Sequence, residues 1–308
     1  MLVPFFTDLI SIIPEELNIY LIVNNSTVAQ EILSIFPERK IHPIIIDGFK
    51  EIWLRDILGF NTGINRIYRP KFKPTYCEYI YTSYYLNLID YQVGQIFEKS
   101  IGAEVIEMPL IMDGGNLVTN GKVAFVTDKV ISDNMNISPH ISKMIYNYLG
   151  VETVIIPGNK HDLLSHADGY LNFLNEKQIC VSTYPKIKFL EDDILYSKHL
   201  ESIIVKQGLE VIPIHDRPVA EKVIGGGKNE FDKSSTCLNS ARGIYVNCLI
   251  LNDTIILPEY SLPAYKRQID FNAINKKTLM ELAYKVKCIN CDDLAKFGGS
   301  LHCISFTN

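Results

Sequence analysis

The sequence is poor in the features that mark most specialised functions. No stretch reaches the run of about 18 uncharged residues that a membrane-spanning helix needs. The apolar opening MLVPFFTDLISIIP has no basic segment ahead of it and no small-residue cleavage site, and two prolines and an aspartate interrupt it. No signal peptide is expected from such a segment. Cations are in the minority, with 30 Lys and Arg against 35 Asp and Glu and a net charge of -5. That balance predicts solubility and offers nucleic acid no electrostatic footprint. The seven cysteines are an odd number and lack a CxxC…CxxC set. This argues against a disulfide framework and a zinc ribbon, and fits a reducing cytosol with most thiols inert in apolar runs such as QICVS and YVNCLIL. No GxGxxG opens the first unit of the chain, which weighs against a dinucleotide-binding doubly wound sheet.

What is present is a repeat. The 308 residues, 47% hydrophobic and 21% charged, are enough to bury a sizeable core and too apolar for disorder. A helical pattern that ends on glycine and passes into a β-rich run to proline occurs three times, as IGAEVIEMP, LGVETVIIP and QGLEVIPI. Ile89, Val93, Ile96 and Phe97 recur at helical spacing before the first, and Ile141, Met144, Ile145, Tyr148 and Leu149 before the second. Ser138-Pro139 supplies a cap and first-turn proline for that second helix. Weaker copies, TVAQEILSIFPERKIHPIIID and NKKTLMELAYKVKCIN, bracket the three. Strand patterns KVAFVTD, QICVSTY and TIILPEY separate the helices. Five strand-strand-helix-strand modules around an axis, an α/β propeller-like ring, account for this pattern. No linker divides the chain, so residues 1–308 are expected to form a single catalytic domain of five modules. GGGKNEFDKSS reads as a loop over a site, and the tyrosine-rich YCEYIYTSYY as an edge strand or interface.

The segments that follow the repeated strands carry the chemistry. They are EIWLRD, MDGGN, SHADGYLNF and FGGSLHC, and in a symmetric ring they gather at one end of the axis. Their side chains are Asp56, Asp113, His166, Asp168 and Cys303; Trp53, Asn116 and Gly299 accompany them as supporting residues. Carboxylates crowded together need a cation. One histidine and a cysteine amid glycines are not a zinc set, so no metal is expected. A planar guanidinium fits better, because its five donors match two carboxylates in bidentate fashion. His166 and Asp168, two apart in a strand-like segment, are expected on one face. A thiol attacks near neutral pH only beside positive charge, which a bound guanidinium and a protonated His166 would supply. The glycines of GGSLHC let a ligand approach Cys303 closely.

WLRD, DGGN, HADG and GGSLHC, in that order, resemble the agmatine deiminase and bacterial Porphyromonas-type peptidylarginine deiminase family of the guanidino-group-modifying superfamily. DGGNLVTNGKVAFVTDKV, HADGYLNFLNEKQICV and ARGIYVNCLILNDTIILPEY are similar to family segments as well. The resemblance implies a five-bladed, pentein-like α/β propeller. It implies Cys303 as nucleophile, His166 as general acid and base, Asp113 orienting His166, and Asp56 with Asp168 clamping the guanidinium. The implied reaction loses ammonia through a covalent thiouronium and hydrolyses it to a ureido product, without metal or organic cofactor. This chain has Asp113 where family members often have glutamate, and Ile57-Leu58-Gly59-Phe60 where Thr-Gly-Pro or Tyr-Met-Pro usually follows WLRD.

The substrate end stays open: agmatine, an arginine derivative or a peptidyl arginine. Arg242 and Lys228, beside and within the glycine-rich segment, are candidates for recognising a carboxylate or carbonyl. Amidino transfer is an alternative within the same chemistry. A non-catalytic binding protein on the same scaffold and a papain-like hydrolase are alternatives outside it. Binding alone needs no thiol at 303, and a papain-like nucleophile lies early in its chain and opens a helix. No nucleic-acid or membrane partner is expected, the location is expected to be cytoplasmic, and the oligomeric state is not read from the sequence.

Overall fold

A computed structural model describes residues 3–61, 66–77, 82–100, 102–160, 162, 164–219, 240–263 and 269–307. Helix α1 (Val3–Ile12) leads into β1 (Ile19–Val23), α2 (Ser26–Ile35) and β2 (Ile41–Ile45). After the short α3 (Leu54–Leu58) come β3 (Phe60–Asn61), β4 (Arg66–Lys71), α4 (Ser83–Lys99) and β5 (Glu104–Ile111). The third unit is β6 (Leu117–Thr119), β7 (Val123–Thr127), α5 (Lys129–Asp133), α6 (Ile141–Leu149) and β8 (Glu152–Ile156). The fourth is β9 (Leu171–Phe173), β10 (Gln178–Thr183), α7 (Glu191–Val205) and β11 (Glu210–His215). The fifth is β12 (Leu249–Leu251), β13 (Thr254–Glu259), α8 (Phe271–Glu281) and β14 (Lys285–Asn290), followed by α9 (Asp292–Ala295).

The result is an α/β fold that has, among the described residues, five separate sheets, one with two strands and four with three. In the last four units a short strand runs antiparallel to a central strand, a helix crosses over, and the next strand lies parallel to the centre. Val181 of β10, for example, faces Leu171 of β9 on one side and Pro213 of β11 on the other. The strand-strand-helix-strand expectation therefore holds for four units; among the described residues the first has only the parallel pair β1 and β2. The central strands β7 and β13 are buried on both faces and accordingly read as apolar runs: Ala124, Phe125 and Val126 in β7, and Ile255, Ile256 and Leu257 in β13, are each 0% exposed.

Local signals set the helices. Asn25, Thr82 and Asp270 each accept a hydrogen bond from a first-turn N–H of α2, α4 and α8. The three repeat glycines, Gly102, Gly150 and Gly208, turn each helix into its strand with φ of 59°, 70° and 74°, a left-handed conformation that other residues resist. In the fifth unit Ala283 makes the same corner at φ 66°. Ala283→Gly is therefore expected to stabilise the protein by about 1 kcal/mol and raise Tm by roughly 2 °C, measurable by thermal unfolding; an unchanged or lower Tm would refute the strain at this corner.

Two expectations change and a third falls outside the described residues. Pro139 lies in a 3-10 turn, Met135–His140, and α6 starts after it at Ile141 with no side-chain cap. The tyrosine-rich segment is not an edge strand where described: Tyr76 sits in a 3-10 turn, and Tyr84 and Tyr85 open α4, because Thr82 caps a helix there. The glycine-rich stretch, Lys228 included, lies outside the described residues. No helix among the described residues is long and apolar enough to cross a membrane.

Candidate active site

Asp56 comes from α3. Asp113 ends the segment after β5, just before a tight turn at Gly114–Asn116, and His166 precedes a similar turn at Ala167–Gly169 after β8. His166 and Asp168 thus flank a 3-10 turn instead of lying on one strand face, and both side chains still reach one space. Gly115 explains how the groups come so close. A Cβ there would lie 2.6 Å from Asp56 Oδ1, 2.9 Å from His166 Nδ1 and 3.2 Å from Asp168 Oδ1. The bare backbone forms the floor between the three side chains, and Gly115 N donates to Asp56 Oδ1 at 3.0 Å.

The imidazole of His166 bonds Asp113 Oδ2 through Nε2 at 2.9 Å and turns Nδ1 toward Asp56 Oδ1 at 3.5 Å. Cys303 Sγ stands 3.8 Å from Asp168 Oδ2 and 3.4 Å from Asn247 Oδ1. Asp168 Oδ2 also accepts from His302 Nδ1 at 2.7 Å. One oxygen on each flanking carboxylate, Asp56 Oδ2 and Asp168 Oδ1, accepts no hydrogen bond among the described residues, and neither is sealed from the cavity. Two open acceptors beside a thiol suit a planar donor.

The supporting residues divide. Trp53 packs on Gly299, where a Cβ would fall 2.3 Å from Trp53 Cζ3, so glycine is required for the indole to lie against the nucleophile's loop. Asn116 does not join the cluster. Its Oδ1 accepts from Thr127 N at 3.1 Å, and the Thr127 hydroxyl lies between it and the Ser165 carbonyl. That contact anchors the residue before His166, in which Ser165 has a φ of 48°. Arg242 pairs with Asp292 at 2.8 Å.

Five residues were not anticipated. Asn247 Oδ1 accepts from the backbone N–H of His302 and Cys303 at 3.1 and 3.3 Å, and its Nδ2 donates to the Asp168 carbonyl at 3.0 Å. Buried Asp216, at the end of β11, holds the preceding N–H groups of Tyr245 and Val246. The buried asparagine in the apolar run YVNCLIL was the available signal, since such an amide must find partners. His302, Arg55 and Lys129 complete the set. The Arg55 guanidinium is buried over Phe306, and its Nε and Nη2 have no hydrogen-bond partner among the described residues. Lys129 Nζ approaches Asp113 Oδ2 at 3.5 Å.

Electrostatics follow from these distances. Burial alone would lower the His166 pKa, but Asp56, Asp113 and Asp168 raise it to about 9. Burial, aided by Asp113 and Asp168 and opposed by His166, lifts Asp56 to about 7. Asp113 resists its burial and stays below the usual carboxylate range through His166 and Lys129, as Asp168 does through His302, His166 and Arg55. Burial and the carboxylates of Asp168 and Asp56 push the Cys303 thiol well up. Protons therefore rest on Cys303 and His166 at neutral pH. A cation between Asp56 and Asp168 would offset the charge that holds the thiol protonated. Among the described residues no cluster of His, Cys, Asp and Glu has the geometry of a metal site.

Known proteins share this arrangement of elements. The model of the Porphyromonas-type peptidyl-arginine deiminase family matches residues 3–308. An agmatine deiminase of Pseudomonas putida is 24% identical over 242 residues, 68% of this chain and 62% of that relative. The chain spans less than two thirds of the length of the curated relatives it matches. Among solved structures, agmatine deiminase of C. jejuni has a TM-score of 0.72 at 16% identity, covering 98% of this chain and 85% of the other. Agmatine deiminase of Enterococcus faecalis has a TM-score of 0.71 at 16% identity, with 97% and 85% covered. These likenesses show the α/β fold.

Proposed function

Because the chain belongs to the Porphyromonas-type peptidyl-arginine deiminase family, we propose that it is a guanidino-group hydrolase, converting agmatine or another small arginine-derived guanidine to its ureido product and ammonia. The observation that carries the reading is the pair of open carboxylate oxygens, Asp56 Oδ2 and Asp168 Oδ1, on either side of Gly115 and next to the Cys303 thiol and the His166 imidazole. Residues 1–308 would act as one catalytic domain, with the five sheets as blades of a pseudo-fivefold propeller whose turns meet on the axis. Described cysteines are all free, in keeping with a cytosolic enzyme.

The guanidinium enters between Asp56 and Asp168, and the thiol releases its proton to solvent. Sγ attacks the guanidinium carbon; His166 passes its Nδ1 proton to the departing nitrogen, the C–N bond breaks, and ammonia leaves a thiouronium. Neutral His166 then takes a proton from water as its oxygen bonds the same carbon. Collapse breaks the C–S bond as the added hydroxyl passes its proton to the departing sulfur, which restores the Cys303 thiol and yields the ureido group. Asp113 holds the imidazole through Nε2, which leaves Nδ1 to exchange protons at the substrate. The experiment is a panel of agmatine, arginine, its derivatives and arginyl peptides, scored for ammonia and ureido product. No release from any of them sinks the reading in favour of a binding protein.

The pH dependence has a definite sign. Asp56 must be anionic to accept a guanidinium, so kcat/KM is expected to climb as pH rises through about 7. In the complex the thiolate has formed and His166 must still carry a proton for the first step, so kcat falls above the imidazole pKa, about 9 in the free site. Bound cation lowers the Asp56 pKa, which places the acid limb of kcat below that of kcat/KM. Acid limbs that coincide would contradict the role given to Asp56.

A further inference from the structure

Lys129, the first residue of α5, is nearly buried, its side chain 11% exposed. Its ammonium faces Asp113 Oδ2 at 3.5 Å, the same oxygen that binds His166 Nε2 at 2.9 Å. The other Asp113 oxygen is buried without a partner among the described residues, and among them the charge of this carboxylate is met on one side only, by His166 and Lys129 together. Lys129 is itself held: Asp133 pairs with it one turn on, and Thr75 Oγ1 donates to Asp133 Oδ1 at 3.0 Å. The Tyr76 ring lies 5.5 Å from Nζ and stands edge-on to the His166 imidazole at 6.0 Å. Packing does not require an ammonium here, since a buried cation is costly unless paired and an apolar side chain of similar length would fill the space.

We propose that Lys129 is a positioning residue for the acid–base pair, fixing Asp113 as the anionic partner of His166 and setting the pH at which the imidazole gives up its proton; this rests on the deiminase reading. The groups facing His166 are Asp113 and then Lys129 on its Nε2 side, Asp56 on its Nδ1 side, Asp168 from its own turn, and the Tyr76 ring. Cys303, His302 and Arg55 interact with Asp168. Lys129 faces Asp113, Asp133 and Tyr76, while the neighbouring Asp128 carboxylate is turned away to Gly158 N. Lys129 is the positive charge on the Nε2 side of His166. Removing it should raise the imidazole pKa by about one pH unit at the effective dielectric of such sites.

The test compares wild type, K129M and K129R in the full chain, with kcat and KM measured across pH and the His166 imidazole titrated by NMR. For K129M the expected outcome is a kcat about tenfold lower with KM within about threefold. Its basic limb and NMR pKa should both move up by about one unit. K129R should return both to within a few tenths of a unit of wild type. Unmoved limbs in K129M, or a K129R that behaves like K129M, would overturn the proposal, because a purely structural lysine lowers the rate without shifting the pKa. If K129M does not fold, K129Q is read by the same measurements. If wild type releases no ammonia the deiminase reading fails, and the NMR titration still decides the role of Lys129.

Discussion

Cys303→Ala is expected to lower ammonia release by at least about 10^4-fold while leaving the fold and guanidinium binding in place. The methyl group of alanine cannot form the C–S bond, and no other described thiol substitutes for it. Cys180 and Cys248 are buried, with burial first among the causes that raise their pKa values, as it is for Cys291. Cys288 is partly exposed and sits beside Glu259, which also raises it. Binding should survive, since Asp56 and Asp168 supply the charge and their neighbours, Gly115 and His302, are untouched. Removing the thiol takes no charge from the free site, where Cys303 holds its proton, so the variant is expected to bind a guanidine about as tightly as wild type binds it. Calorimetry on the variant and single-turnover ammonia measurement check both halves. Residual turnover above about a hundredth of wild type would mean that another group is the nucleophile.

Gly115→Ala should be nearly as damaging although it removes no functional group. The added methyl would meet Asp56 Oδ1, His166 Nδ1 and Asp168 Oδ1 within 3.2 Å, and three side chains would have to separate to admit it. A displacement near 1 Å costs about 100-fold in rate, and here the proposed acid–base histidine and both carboxylates of the proposed clamp move together. The expected outcome is a loss of about 100-fold or more in kcat/KM, with both kcat and KM affected and little change in Tm. If kcat/KM stays within about threefold of wild type, the floor of the site lies elsewhere and the substrate pose argued from Gly115 is wrong.

The parts of the molecule legible in the sequence are those that local chemistry dictates. Gly102, Gly150 and Gly208 mark helix-to-strand corners because left-handed backbone favours glycine, and the corner at Ala283 shows why the fifth copy looked weaker than the rest. The turn segments at Asp113, His166 and Asp168 stood out because glycine beside a carboxylate is a local pattern with a local cause. The reach of Asn247 to Asp168 and to the backbone of His302 and Cys303 spans separate units, and no window of neighbouring residues contains it. Lys129 failed to register for a related reason: on α5 it reads as a solvated first-turn lysine, and only the packing of that short helix against Asp113 and Tyr76 buries it. Asn116 was noticed for its place in DGGN, yet its amide serves the strand at Thr127. The two-residue spacing of His166 and Asp168 suggested a strand because alternation is read as β; the glycine two positions past Ala167 allows a tighter turn.

The contacts that seat Cys303 reach far along the chain. Cys303 touches a carboxylate 135 positions away and an amide 56 positions away, and His302 repeats the longer link. Each such contact closes a long loop, at an entropic cost that grows only slowly with length but that is recovered only when the intervening units are already in register. Asn247 is itself set by Asp216, at the end of the fourth unit. The reactive centre is therefore not a segment that could be carried on a fragment or transplanted with its flanking residues. It is a property of the completed chain, present only when all the units between Asp56 and Cys303 have found their places.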